Sequence, residues 1–360
     1  MYRLITFITF ALLSAAASAG IGFHQFTLNE PATRSLDVAV WYPTFDNRAL
    51  ETVGENVVFS GVKVQRDAAP APGAHPLLLL SHGFGGNWRN LDWLAQHMAE
   101  QGYIVAAMDH PGTTTRNKQP AQAQALGERP HDVTRVLEAL IGNPKTAGKI
   151  DEQRIAAAGH SLGGWTVMAL AGARFSAPRF VADCENHPHL GGCKVARTLG
   201  IGLPGTENQL VKSVRDTRIK AVVSLDLGLA RGFTAESLSQ VAIPVLVMSA
   251  GVDSDDVPAA LESGYLAHGL PASLTRTVSV PGATHFSFMQ RCKPGAAAII
   301  EAEEPGEGIV CRDGAGFSRA AIHQQLAAQI SEFLSQALHY SPPRGDTPQG
   351  SSPQVAQTHD

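Results

Sequence analysis

The chain has 360 residues, 44% of them hydrophobic and 17% charged, with a net charge of −4. These values point away from a fibre, a disordered chain or a basic nucleic-acid binder, and they leave room for a large globular domain with a sizeable core.

In chain order, residues 1–19 come first. Arg3 precedes the apolar run LITFITFALL, and small residues ending Ala17-Ser18-Ala19 follow it, which predicts a cleavable secretory signal. The run is too short to span a bilayer and no cysteine follows the cleavage site, so no stable membrane insertion is expected after cleavage. Removing Arg3, the one charge in this segment, takes the net charge from −4 to −5. A secreted or periplasmic location follows.

Residues 20–340 read as a single α/β domain. Short apolar runs recur along it: LDVAVWYP, HPLLLLSH, YIVAAMDH, RIAAAGHS, IKAVVSLD, IPVLVMSA and RTVSVPGA. Runs of this length predict strands buried on both faces. Between them lie amphipathic helical stretches, among them NWRNLDWLAQHMAEQG, RPHDVTRVLEALIGN, GGWTVMALAGARF and AAIHQQLAAQISEFLSQAL. The alternation predicts a mostly parallel sheet sandwiched by helices, with its chemistry at the carboxyl ends of the strands. Two segments break the pattern: residues 176–217, a candidate cap-like insertion, and residues 291–317, bracketed by Cys292 and Cys311. Residues 341–360, rich in Pro, Gly, Ser and Gln, are expected to be a disordered tail.

Four cysteines fall into two close pairs, Cys184 with Cys193 and Cys292 with Cys311, which suggests two local disulfides among the three possible connectivities. CENHPHLGGC also offers Cys184, His187, His189 and Cys193 as zinc ligands. In an exported chain the disulfide is the expected outcome, and neither a metal nor an organic cofactor is expected.

The chemistry concentrates at RIAAAGHSLGG. A chance G-x-S-x-G should occur about 0.2 times in a chain this long, so context must decide. Here Ser161 follows an apolar strand and opens a small-residue helix, the strand-turn-helix setting of a nucleophile elbow, rather than a serine that merely caps a helix. A hydroxyl needs a base, and His285 in VPGATHFSF lies in the loop after the last strand. The acid that orients this base is expected after the preceding strand, at Asp253 in PVLVMSAGVD; Asp226, one strand earlier in AVVSLD, is the alternative. Asp255 and Asp256 read as solvated carboxylates. Backbone N–H groups of Leu162 and of Phe84, in the HGFGG loop, are the expected oxyanion donors, with His82 bracing that loop. Asp109 and His110 end another strand on the same side, and Trp88, Trp93 and Trp165 read as packing, with Trp165 a possible wall of an acyl pocket.

In order, SHGFGG, MDHPGTTT, RPHDVTRVLEAL, AGHSLGG, AVVSLD and PGATHFSF resemble the α/β-hydrolase superfamily. Within it they resemble the secreted group related to dienelactone hydrolases and plasma-type platelet-activating factor acetylhydrolases. That likeness implies a serine esterase acting through an acyl-enzyme on a small-molecule ester, with no nucleic-acid partner. The acetylhydrolase branch implies Asp226 as the acid, whereas dienelactone hydrolases proper carry cysteine where this chain has Ser161. An amidase or peptidase with the same triad, or a silent hydrolase fold used for binding, are the alternatives; oligomeric state is left open.

Overall fold

The structure is a computed structural model that describes residues 20–29, 31–204, 210 and 212–339. The expected signal, residues 1–19, and tail, residues 341–360, lie outside the described residues.

Ten strands form the sheet. They are β1 Gly20–Leu28, β2 Leu36–Thr44, β3 Glu51–Val53, β4 Val62–Arg66, β5 Ala74–Ser81, β6 Ile104–Met108, β7 Lys149–His160, β8 Ala221–Leu225, β9 Val245–Ala250 and β10 Thr275–Val280. Their order is β10-β9-β8-β7-β5-β6-β2-β1-β4-β3. From β10 to β6 every neighbouring pair is parallel, and β2 joins antiparallel to β6. The mostly parallel α/β architecture expected from the alternation is the one observed.

Helices α1 Asp92–Glu100, α2 Pro120–Ala123, α3 Glu128–Gly142, α4 Leu162–Ala171, α5 Ala177–Asn186, α6 Gly191–Val195, α7 Ala235–Ser239, α8 Ser263–Gly269, α9 Ala296–Glu303 and α10 Arg319–Ala337 accompany the sheet. The run of four leucines in β5 shows how both sheet faces are used. Leu77 and Leu79 join a core with Val133, Val136 and Val167 of α3 and α4, while Leu78 and Leu80 join one with Leu94, Leu326 and Ile330 of α1 and α10. Successive side chains point to opposite faces, so a strand covered on both sides needs an unbroken apolar run.

Two departures from the expected elements have simple causes. Among the described residues β10 is an edge strand paired with β9 alone, and most of its residues are partly exposed, so RTVSVPGA is not doubly buried. β1 gives no unbroken apolar run in the sequence, because GIGFHQFTL interleaves His24 and Gln25 with its apolar residues. Of the two pattern-breaking segments, 176–217 carries α5 and α6, and 291–317 carries α9. An ion triad, buried at Arg231 and Glu262 and partly exposed at Asp183, ties α5 to the loop after β8: Arg231 bonds Asp183 at 2.7 Å and Glu262 at 3.1 Å. Burial pushes the Glu262 carboxyl up to about 7 despite that guanidinium.

Candidate active site

β7 ends at His160, and the chain reverses so sharply into α4 that Ser161 has φ 55° and ψ −118°. Only crowding-free neighbours permit this. A Cβ on Gly159 would lie 2.1 Å from the Gly163 carbonyl oxygen, and one on Gly163 would lie 1.9 Å from that of Ser81. Ser161 stands at the N-terminus of α4 yet its side chain makes no capping hydrogen bond, so the hydroxyl is left for other use.

His285 follows β10, and its Nδ1 meets Asp226 Oδ2 at 2.7 Å. The carboxylate's other oxygen accepts the Ala250 N–H at 2.8 Å, and Asp226 N donates to Met248 O at 2.7 Å, so the acid is locked to β9. With Nδ1–H given to Asp226, Nε2 of the same ring is the basic nitrogen. Asp253, the acid expected from strand order, is not the one brought to His285. By residue 253 the chain has followed β10 through Gly251 N to Val280 O and Val252 N to Ala283 O. The exposed Asp253 carboxylate then turns outward to accept the Ala259 N–H at 2.9 Å. Asp226 leaves β8 directly and never turns away. The preceding residue, Leu225, accepts the Ser161 N–H at 3.0 Å through its carbonyl, which joins the Ser161 turn to the Asp226 segment through one backbone bond.

His160, next to Ser161 in the chain, packs against His285. Its ring lies 4.7 Å from that of His285 and 5.8 Å from Phe288, and its Nε2 meets the His285 carbonyl oxygen at 2.8 Å. A carbonyl can only accept, so Nε2 carries the hydrogen. Burial holds this histidine neutral, well below its usual range.

The HGFGG loop packs against the Ser161 turn, since a Cβ on Gly83 would lie 3.2 Å from Ser161 Cβ. Among the described residues neither the Phe84 N–H nor the Leu162 N–H enters another backbone hydrogen bond. His82 braces the loop. Its Nε2 accepts the His110 N–H at 3.0 Å, which leaves Nδ1–H to donate to the Gly83 carbonyl at 2.6 Å. From the other side, Thr113 O accepts Gly85 N–H at 2.9 Å and Thr115 Oγ1 donates to Gly85 O at 2.7 Å.

A charged network lies beneath. Asp132 takes both Arg34 Nε at 2.8 Å and Nη2 at 2.7 Å, and His110 Nδ1 at 3.0 Å. Arg129 is fully buried, and desolvation lowers it to about 9 although Asp132 opposes the shift. The sequence alone gives neither Arg129 nor His160 a role. The signal for Arg129 was present: with Asp132 it shares the stripe of Val133, Val136 and Leu140 that α3 turns to the core.

The His285 loop is buckled from behind. Ser287 Oγ accepts Thr284 N–H at 2.9 Å and donates to Asp313 at 2.5 Å. Arg319 bonds Asp313 at 2.7 Å and the carbonyls of Gln290 and Val310 at 3.0 Å. The disulfide Cys292–Cys311 closes this buckle, and Cys184–Cys193 closes the turn between α5 and α6. That second bridge consumes the thiols a zinc site at CENHPHLGGC would need. Lys194 of α6 pairs with Asp256, whose carbonyl also accepts Gly191 N–H.

His110 is buried in the network, whereas Asp109 lines a cleft of about 410 Å³ with Asp37, Arg89 and Arg116. Burial pushes the Asp109 carboxyl up to about 6. Trp165 is buried against Phe175 and Phe233.

Comparison with solved structures gives a ferulic acid esterase from Streptomyces cinnamoneus, with a TM-score of 0.61 over 94% of this chain and 95% of that one at 21% identity. The fold is that of the α/β-hydrolases. A family model described as serine aminopeptidase, S33, matches residues 73–182, the part of this fold that holds the HGFGG loop and the Ser161 turn. Curated relatives align over a similar share. A bis(hydroxyethyl) terephthalate hydrolase of Streptomyces coelicolor is 27% identical over 32% of this chain and 34% of its own length. Cutinase est2 of Thermobifida alba is 29% identical over 27% and 30%, and cutinase 2 of Thermobifida cellulosilytica is 30% identical over 26% and 34%. The chain thus aligns with about a third of these relatives.

Proposed function

We propose that the protein is a secreted serine hydrolase that cleaves carboxylic esters through an acyl-enzyme. The observation that carries this reading is the 2.7 Å bond between His285 Nδ1 and Asp226, anchored beside a serine held at φ 55° with an uncapped side chain. Ser161 Oγ attacks the ester carbonyl as His285 Nε2 takes its proton. Asp226 stabilises the imidazolium, and the N–H groups of Phe84 and Leu162 receive the oxyanion. The imidazolium then protonates the departing alcohol. A water, deprotonated by the same nitrogen, releases the acid and restores Ser161.

Ester cleavage by the relatives supports the substrate class, since the names terephthalate hydrolase, cutinase and ferulic acid esterase describe enzymes of ester bonds. Two disulfides fit an oxidising compartment, and among the described residues no helix is long and apolar enough to cross a membrane. Within the superfamily we assign the chain to the group related to dienelactone hydrolases and platelet-activating factor acetylhydrolases, on HGFGG, DHPG and RPHDV and on an acid that follows the earlier strand. The aminopeptidase description of the matching family model favours a second reading, amide or peptide hydrolysis by the same residues.

Ser161→Ala should abolish turnover of p-nitrophenyl butyrate and fluorophosphonate labelling while leaving the melting temperature within a few degrees. Retained turnover would refute the mechanism, and faster cleavage of a matched anilide than of the ester would favour the peptidase.

A further inference from the structure

An oxyanion site made of two N–H groups works only if both lie within hydrogen-bond reach of one developing charge. Here the two donors come from separate elements. Phe84 sits on a loop with Gly83, Gly85 and Gly86 around it, and Leu162 opens α4. Glycines leave such a loop soft, so something else must fix its distance from the helix.

One side chain reaches every part of that assembly. Arg129 Nη2 donates to the His82 carbonyl, two residues before Phe84, and to Ser81 Oγ at 3.2 Å. Nη1 donates to Thr113 Oγ1 at 2.5 Å, and the Thr113 carbonyl holds Gly85 N–H on the far side of Phe84. Nε donates to Thr166 Oγ1 at 3.0 Å, and that hydroxyl donates to the Leu162 carbonyl at 3.1 Å. A planar guanidinium offers its donors in a fixed fork, so three elements are held to one plane. His82 completes the arrangement: its bond to the Gly83 carbonyl fixes the Gly83–Phe84 peptide plane, and in a trans peptide the Phe84 N–H points opposite that carbonyl. A position on the core stripe of α3 could be filled by leucine without the cost of burying a cation. The charge is therefore explained by what it holds.

We propose that Arg129 is the positioning residue that sets the spacing of the two oxyanion donors, a role that rests on the ester-hydrolase reading above. Arg129 touches neither substrate nor the reacting atoms. It acts through His82, Thr113 and Thr166.

The test compares wild type with Arg129→Lys, which keeps a charge but loses the fork, and Thr166→Val, which keeps Arg129 and removes only its link to α4. The readouts are kcat per fluorophosphonate-titrated serine, KM for p-nitrophenyl butyrate, and Ki for an aliphatic trifluoromethyl ketone, whose adduct carries the oxyanion. For Arg129→Lys, kcat should fall about 10- to 100-fold with KM within about twofold, and Ki should rise in parallel. Thr166→Val should show the same pattern at about three- to tenfold, and it carries the test if the lysine variant does not fold. A merely structural role would lower the titratable fraction and the melting temperature with kcat per titrated serine unchanged. That result in an active enzyme would overturn the proposal for Arg129 alone, whereas a wild-type chain without turnover or label would overturn the ester-hydrolase reading and this proposal with it.

Discussion

Ser161, Asp226 and Leu229 all hold positive φ without being glycine, and all three lie at the ends of β7 and β8 or in the loop that follows. Such backbone costs on the order of 1 kcal/mol per residue and persists where surrounding bonds over-determine it. For Asp226 those bonds are its N–H to Met248 O and its carboxylate to Ala250 N and His285. Replacing Asp226 by Asn should therefore lower kcat by about 10⁴-fold, because the amide can present its NH₂ to Nδ1 and favour the wrong tautomer. Asp253→Asn should leave kcat within about twofold, and steady-state kinetics on the two purified variants decides between the carboxylates. The sequence made this choice hard for a physical reason. Both aspartates follow apolar strands, and what separates them is the route of the chain after β9, which is fixed by backbone bonds to β10 and not by any local pattern. Ser161 and His285 were legible because glycine crowding and strand-end position are local signals.

At the scale of elements, α10 docks on α1 through two histidines: His97 meets Ser331 Oγ at 2.9 Å, and His323 is the more deeply buried of the two. The His323 ring stacks on Trp93 at 3.9 Å and donates from Nε2 to the Ser287 carbonyl at 3.0 Å. Burial is the main cause that drives its pKa down to about 3, and Arg319 adds to it. The unfolded chain therefore takes up a proton between pH 6.5 and 3 that the folded chain refuses. The stabilisation is complete above pH 6.5 and is lost as pH falls toward 3, by up to on the order of 4 kcal/mol. Denaturant midpoints measured across this window should fall steeply for wild type and less steeply for His323→Gln, and equal slopes would remove His323 as the cause. Helix α10 itself was readable from its apolar periodicity. Its histidine was not, because the stacking partner lies 230 residues away in the chain. Similarly, β10 carries the valines of a buried strand, and only the sheet order reveals that among the described residues no strand pairs with its outer side.

Across the whole molecule, the three residues of the proposed triad hang from supports of unequal strength. Ser161 and Asp226 leave β7 and β8, which have neighbours on both sides, while His285 leaves an edge strand. Its loop depends on the Arg319, Asp313 and Ser287 bonds and on the Cys292–Cys311 bridge. Local opening takes the least supported segment first. On heating, turnover should be lost several degrees below the global transition seen by circular dichroism, and should return on cooling from that interval. Opening the bridge with Cys292→Ala and Cys311→Ala should widen the gap between the two temperatures more than opening Cys184–Cys193 does. Coincident curves in both variants would contradict this. On the proposed function, the working ceiling is then decided by a clasp of some thirty residues behind one imidazole, so a hardier protein is to be sought in that clasp, where reinforcement leaves the surroundings of Ser161 untouched.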